Sequence, residues 1–297
     1  MNAHDNALIR MTDEAERPTR WWVAWPVAVA IVGIGLAIGL PGGAVLLGNP
    51  KSTDSIAQFE ELVAFGLIAV LLILWVHFKE RRGFTSLGFR GPRPIVRFLA
   101  GLALGAVMMT VGVLVPTALG DLANGRSTHD TTGAAAIGLL VVLLVVFIIQ
   151  GSTEEIVFRG YMLPVGARQM PLWAAVLGTS VIFAALHPGA GVVGSLNIAL
   201  YAVFACLLAL QQQSLWMICG FHAGWNFFQG NIFGVPVSGE PKSTSFFTFG
   251  PTSGSRELIS GGDFGIEASL VGTALLLILL AGVALAMRRT PERSPAA

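Results

Sequence analysis

The chain has 297 residues, 54% of them hydrophobic and 12% charged, with a formal net charge of +1. A soluble domain is about a quarter charged, so this composition, with a mean hydropathy of +0.72, excludes a soluble globular domain and predicts an all-α, polytopic membrane protein. The near-neutral charge balance says little by itself, and no nucleic-acid partner is expected.

Residues 1–20 are polar with mixed charge, and no small-residue cleavage site follows at signal-peptide distance. They read as a disordered cytoplasmic tail rather than a secretory signal. Apolar stretches of the length that crosses a bilayer then recur over about 22–40, 57–78, 95–119, 134–163, 172–186, 192–210, 215–233 and 266–287. About eight transmembrane helices are therefore expected. Helices 1–3 fall within 21–133, with a basic cytoplasmic loop at 79–97, and helices 4–7 form a candidate catalytic core at 134–234. An outer loop spans 235–265, and helix 8 with a cytoplasmic tail spans 266–297.

The cations test this arrangement. With the N-terminus inside, the inner side holds Arg10, Arg17, Arg20, Lys79, Arg81, Arg82, Arg90, Arg93, Arg97, Arg159, Arg168, Arg288, Arg289 and Arg293. The outer side holds only Lys51, Arg126, Lys242 and Arg256. That is a strong positive-inside bias, and it places both termini in the cytoplasm. The outer loop is rich in Gly, Ser and Pro and carries Phe246, Phe247 and Phe249. It reads either as a lid or re-entrant segment or as a loose loop dipping aromatics into the interface. Cys206 and Cys219 sit in apolar runs without metal-ligand spacing and read as free core thiols.

Function is sought where polarity is expensive. Glu154 and Glu155 lie in the fourth apolar stretch, where an ionised group costs on the order of 2.5–3.5 kcal/mol even on lenient insertion scales. Neighbouring like charges add to that cost. His187 closes the fifth stretch, and His222 and Asn226 stand four apart in the seventh, on one helical face. From the helical rise, Glu154 lies roughly 14 Å from the inner boundary, His187 roughly 22 Å, His222 roughly 10 Å and Asn226 roughly 16 Å. These depths allow one pocket near mid-membrane. Taken singly, each histidine could be a satisfied helix–helix hydrogen bond, Asn226 packing glue and Arg159 a snorkelling cation. His77 reads as interfacial, and Asn197, Gln229 and Asn231 as helix–helix or channel-wall contacts.

A carboxylate and an imidazole facing one water can make it nucleophilic. A second imidazole and an amide can donate to a developing oxyanion, and an arginine can hold a neighbouring carboxylate in place. This describes peptide hydrolysis. Neither a G-x-S-x-G elbow nor an H-E-x-x-H motif is present.

The ordered set Glu154, Glu155 and Arg159, then Phe183 and His187, then His222 and Asn226 resembles the CPBP family. This is the Rce1-like group of CAAX prenyl proteases and bacteriocin-processing enzymes. The segment 83–90 also resembles that family's loop before the third span. The resemblance implies an intramembrane endopeptidase of glutamic or metallo type in which Glu154 is the base and His187 positions the water. His222 and Asn226 would form the oxyanion site, with Glu155 and Arg159 in support. It leaves open a zinc ion held by Glu154, His187 and His222. The expected partners are the lipid bilayer and a peptide or protein substrate, prenylated CAAX-type or bacteriocin-like, at a cell membrane of the bacterial inner-membrane kind. Two alternatives remain from the residues alone. One is a proton- or ion-coupled transporter using the glutamate pair; the other is a non-catalytic scaffold recruiting a partner through loop 79–97.

Overall fold

A computed structural model describes residues 5–51, 54–126 and 130–289. Arg293, placed by charge counting in the inner tail, lies outside them. The helices are α1 (Ala7–Arg10), α2 (Trp21–Leu46), α3 (Glu60–Leu74), α4 (Pro94–Ala118), α5 (Ile137–Glu155) and α6 (Leu163–Ala167). They continue as α7 (Leu172–Ala185), α8 (Gly191–Gln212), α9 (Trp216–Phe227), α10 (Glu257–Ser260) and α11 (Leu270–Arg289). Wide π turns extend α3 over Trp75–Glu80, join α5 to α6 over Ile156–Met162, and extend α9 over Phe228–Ile232.

Among the described residues, six helical stretches are long and apolar enough to cross a membrane: Trp21–Leu46, Ala57–Glu80, Pro94–Ala118, Gly133–Ala167, Gly191–Gln212 and Leu270–Arg289. The other two expected spans are shorter helices. At 14 residues, α7 reaches only about 21 Å, short of a hydrocarbon core of about 30 Å. Pro171 precedes it, and Pro188 with the left-handed Gly189 stops it. Helix α9 is short for a different reason: Ile218 through Phe227 are all buried. It is the central helix, wrapped by its neighbours rather than by lipid.

Small residues let α9 occupy that position. A Cβ on Gly101 or Gly105 of α4 would come within 1.9 Å or 2.3 Å of the Met217 or Phe221 carbonyl oxygen. A Cβ on Gly220 or Gly224 of α9 would meet the Phe98 or Leu102 oxygen at 2.0 Å or 2.3 Å. Glycines four apart on both helices thus bring the two backbones into contact, the small-xxx-small device of membrane helices. Gly220→Val is expected to cost at least the 1–3 kcal/mol or so of ordinary overpacking, read as lost monodisperse protein and a lower melting temperature in detergent. Gly138→Ala faces open space and should leave both unchanged.

Connections gather at two ends. At one, the segment expected to be a disordered tail is instead folded over Ala7–Glu14. Asn6 caps α1 by accepting from the Leu8 amide and donates to the Leu210 carbonyl at 2.9 Å. Leu8 and Ile9 are wholly buried, so two apolar residues in a polar stretch nucleate what its average composition hides. Arg168 pairs with Asp13 and Arg90 with Glu14, and the bond from Arg90 holds the Glu14 carboxyl below its usual range.

At the other end the 235–265 loop is folded down rather than loose. Gly250–Pro251 pairs antiparallel with Leu122–Ala123, and Thr244–Ser245 pairs parallel with Thr131–Thr132. Lys242 reaches Glu61 at 2.5 Å, Arg256 reaches Asp121 at 2.6 Å, and Phe247 stacks on Phe233.

Candidate active site

Two carboxylates from one helix meet two residues from the central helix. Gly151 makes this possible, because a Cβ there would lie 3.1 Å from the His222 Cγ. Glu155 is fully buried, and its Oε1 accepts from His222 Nδ1 at 2.8 Å, Arg159 Nη1 at 3.2 Å and Tyr201 Oη at 3.2 Å. An ionised carboxylate can only accept, so the His222 proton facing it sits on Nδ1. Arg159 is also buried, its guanidinium lying 4.5 Å from the Phe183 ring centre. It does not snorkel.

Glu154 is placed differently. Its Oε1 accepts from Gln150 Nε2 at 2.6 Å, while Oε2 has no hydrogen-bond partner among the described residues and lies 3.7 Å from His222 Nε2. Asn226 Nδ2 donates to Gln150 Oε1 at 3.0 Å. The polar side chains therefore run as one line: Asn226, Gln150, Glu154, His222, Glu155, and then Arg159 with Tyr201. Among the described residues Oε2 of each glutamate takes no hydrogen bond; the two differ in that Glu155 is fully buried with three donors on Oε1, while Glu154 is partly exposed with one donor and its Oε2 faces His222 Nε2 at 3.7 Å.

His187 stands outside this line. Its Nδ1 bonds the Phe183 carbonyl at 2.8 Å and its ring packs on Phe183 at 4.7 Å. It makes no hydrogen bond to Glu154 among the described residues. Among the described residues no three His, Cys, Asp or Glu side chains converge as a metal-ligand group. The zinc set of Glu154, His187 and His222 is thus not assembled among the described residues.

Gln150 and Tyr201 are participants the sequence reading missed. Gln150 stands four residues before Glu154, the same spacing as His222 and Asn226. The chain has only two tyrosines, and each hydroxyl donates to a buried carboxylate, Tyr201 to Glu155 and Tyr161 to Glu80 at 3.1 Å. Glu80, which falls in the loop expected at 79–97, is instead part of the second long helix. It is 1% exposed and held by Arg82 at 2.7 Å, at the end of the second long helix.

No curated protein matches the chain. Residues 136–228 match the family model described as type II CAAX prenyl endopeptidase, Rce1-like. The matched segment takes in Gln150, Glu154, Glu155, Arg159, His187, Tyr201, His222 and Asn226, and it supports a protease, a hydrolase, as the role of the chain. This multi-pass membrane protein carries an Rce1-like domain at residues 136–228.

Proposed function

We propose that the chain is an intramembrane endopeptidase in which Glu154 is the general base on water. The observation that carries this reading is the division of labour in the pair. Glu155 is fully buried and committed through Oε1 to His222, Arg159 and Tyr201, whereas Glu154 is partly exposed, has Gln150 as its one donor among the described residues, and turns Oε2 toward His222 Nε2 at 3.7 Å. A water between these groups gives its proton to Glu154 as its oxygen attacks the peptide carbonyl.

His222 has a carboxylate at each nitrogen, so both nitrogens can carry a proton; in that form Nε2–H donates to the oxyanion as it forms. Asn226 donates one N–H to Gln150 and has a second for the same oxyanion. His187, with Nδ1 engaged by the Phe183 carbonyl, offers Nε2 to the water or the substrate. Collapse of the tetrahedral intermediate breaks the C–N bond, and the proton held on Glu154 passes to the leaving amine. The substrate class is a peptide that reaches the membrane, and the family match favours a prenylated CAAX-type tail.

The test uses purified protein in liposomes with a farnesylated CAAX peptide and its unprenylated twin in H₂¹⁸O. One cleavage with one ¹⁸O in the new carboxyl is expected, faster for the farnesylated peptide. Intact peptides, together with an ion flux that depends on Glu154, would instead establish the transporter.

A further inference from the structure

Two different forces hold the N-terminal segment. Residues 6–9 are anchored by burial, with Leu8 and Ile9 wholly inside and Asn6 bonded to the Leu210 carbonyl. Residues 11–17 are held by charge. Asp13 pairs with Arg168, Glu14 with Arg90, and Glu16 with Arg81 at 3.3 Å. All six of these side chains are between 28% and 63% exposed. The backbone adds a few long contacts: the Ala15 amide donates to the Thr12 carbonyl at 3.2 Å and the Arg17 amide to the Glu80 carbonyl at 3.4 Å.

The charged part does not lie flush on the bundle. It borders a cavity of about 410 Å³ whose walls include Thr12, Asp13, Thr19, Arg20, Glu80 and Arg168. Arg82 neutralises Glu80 at 2.7 Å, and Asp13 meets Arg168. Arg20 therefore leaves the cavity with an excess of positive charge, and Lys79 adds to it by donating to Thr19 Oγ1 at 2.8 Å. The cavity also stands at the height of lipid headgroups. Arg20 directly precedes the apolar stretch Trp21–Leu46, Arg81 directly follows Ala57–Glu80, and Arg168 directly follows Gly133–Ala167. Trp22 is 54% exposed, and the Arg20 guanidinium lies 5.4 Å from its ring centre. An exposed tryptophan beside a cation at a helix end is how a membrane protein marks the interface.

We propose that this cavity binds the phosphate of an anionic lipid headgroup at Arg20 and Arg168, and that residues 11–17 are a strap which the lipid displaces. Arginine takes a phosphate through the same paired N–H groups with which it takes a carboxylate, so Asp13 holds the place at Arg168 that the headgroup competes for. The exchange is close to balanced. A half-exposed ion pair is weak, and the attraction of one cation near a helix end to an anionic leaflet is of the same order. The density of anionic lipid therefore decides which partner the arginines keep, and Arg81 and Arg90 follow at the same level. Burial of Leu8 and Ile9 does not answer to headgroup charge, so residues 6–9 stay docked when the strap lifts.

The experiment follows amide hydrogen exchange over residues 11–17 of the full chain in phosphatidylcholine liposomes, with and without about a third phosphatidylglycerol. Phosphatidylglycerol is expected to speed exchange there about tenfold and to leave residues 6–9 unchanged. Arg20→Gln removes a headgroup contact but none of the three strap pairs. Its strap should stay slow in phosphatidylcholine, with the response to phosphatidylglycerol cut to about twofold or less. Asp13→Asn with Glu14→Gln should exchange fast in both lipids. Equal exchange of the parent protein in the two lipids overturns the proposal. So does a full response in Arg20→Gln, because surface charge alone then lifts the strap. Inorganic phosphate added to phosphatidylcholine liposomes at matched ionic strength separates the sources: release by phosphate assigns the cavity to a soluble anion and overturns the lipid. Exchange needs no substrate, so this result is independent of whether the chain cleaves peptides.

Discussion

Glu154→Gln is expected to lower peptide cleavage by about 10²-fold or more, the lower range of what a positioned general base contributes, while leaving the protein folded. The substitution isolates basicity. Gln150 Nε2 donates to Glu154 Oε1 at 2.6 Å, and the amide oxygen of glutamine accepts the same bond, so the link onward to Asn226 survives. The oxygen that lies 3.7 Å from His222 and has no hydrogen-bond partner among the described residues becomes an NH₂, which cannot take a proton from water. Removing one of two adjacent like charges also relieves repulsion, so the melting temperature should hold or rise. Cleavage rate and thermal unfolding in the same detergent or liposome give both readings. A variant that cleaves within about twofold of the parent assigns the base elsewhere. One that is inactive and also unfolds early shows that Glu154 is structural.

The site was legible in the sequence where membrane cost and helical spacing act together. Glu154 and Glu155 are conspicuous because charge in lipid is expensive, and His222 with Asn226 because a four-residue spacing fixes one face. Tyr201 was not legible: a tyrosine in an apolar helix is cheap to place, and nothing local shows that its hydroxyl meets a carboxylate 46 residues earlier. His187 was legible as a polar residue at a helix end, but nothing local shows that its Nδ1 bonds the Phe183 carbonyl rather than a group on α5. The cations and hydropathy marked the bundle, yet not the central place of α9. That place depends on glycines at 101, 105, 220 and 224, whose significance lies in what a Cβ would strike. The folding of the N-terminal segment and the choice between a folded and a loose outer loop were not legible for a shared reason. Each is fixed by a few pairings distant in sequence, Asn6 with Leu210 and Lys242 with Glu61, and neither leaves a periodic pattern.

The largest effect on stability is expected at Glu155 rather than Glu154. Glu155→Ala removes the acceptor shared by His222, Arg159 and Tyr201 and leaves Arg159, 1% exposed, as a buried cation without its counter-ion. Breaking a buried pair in this way costs about 3–5 kcal/mol, more than the cavity left by the side chain would suggest. The rings of Phe158, Phe183 and Tyr201 around the guanidinium soften the loss, since a cation over an aromatic face keeps some of its stabilisation. They do not replace an ion pair.

A double-mutant cycle separates the charge from the space it occupies. Glu155→Leu with Arg159→Met removes both charges and roughly keeps the volume, so most of the stability lost in Glu155→Ala should return, with a coupling energy of about 1–3 kcal/mol. Activity should not return, because His222 has then lost the carboxylate that fixes its Nδ1 proton and aims Nε2 at Glu154. If Glu155→Ala melts with the parent, the carboxylate is not holding Arg159 as the geometry implies. If the double variant regains stability and cleavage together, Glu155 acts by packing alone. Stability recovered without cleavage is the result that the three bonds on one oxygen of Glu155 predict.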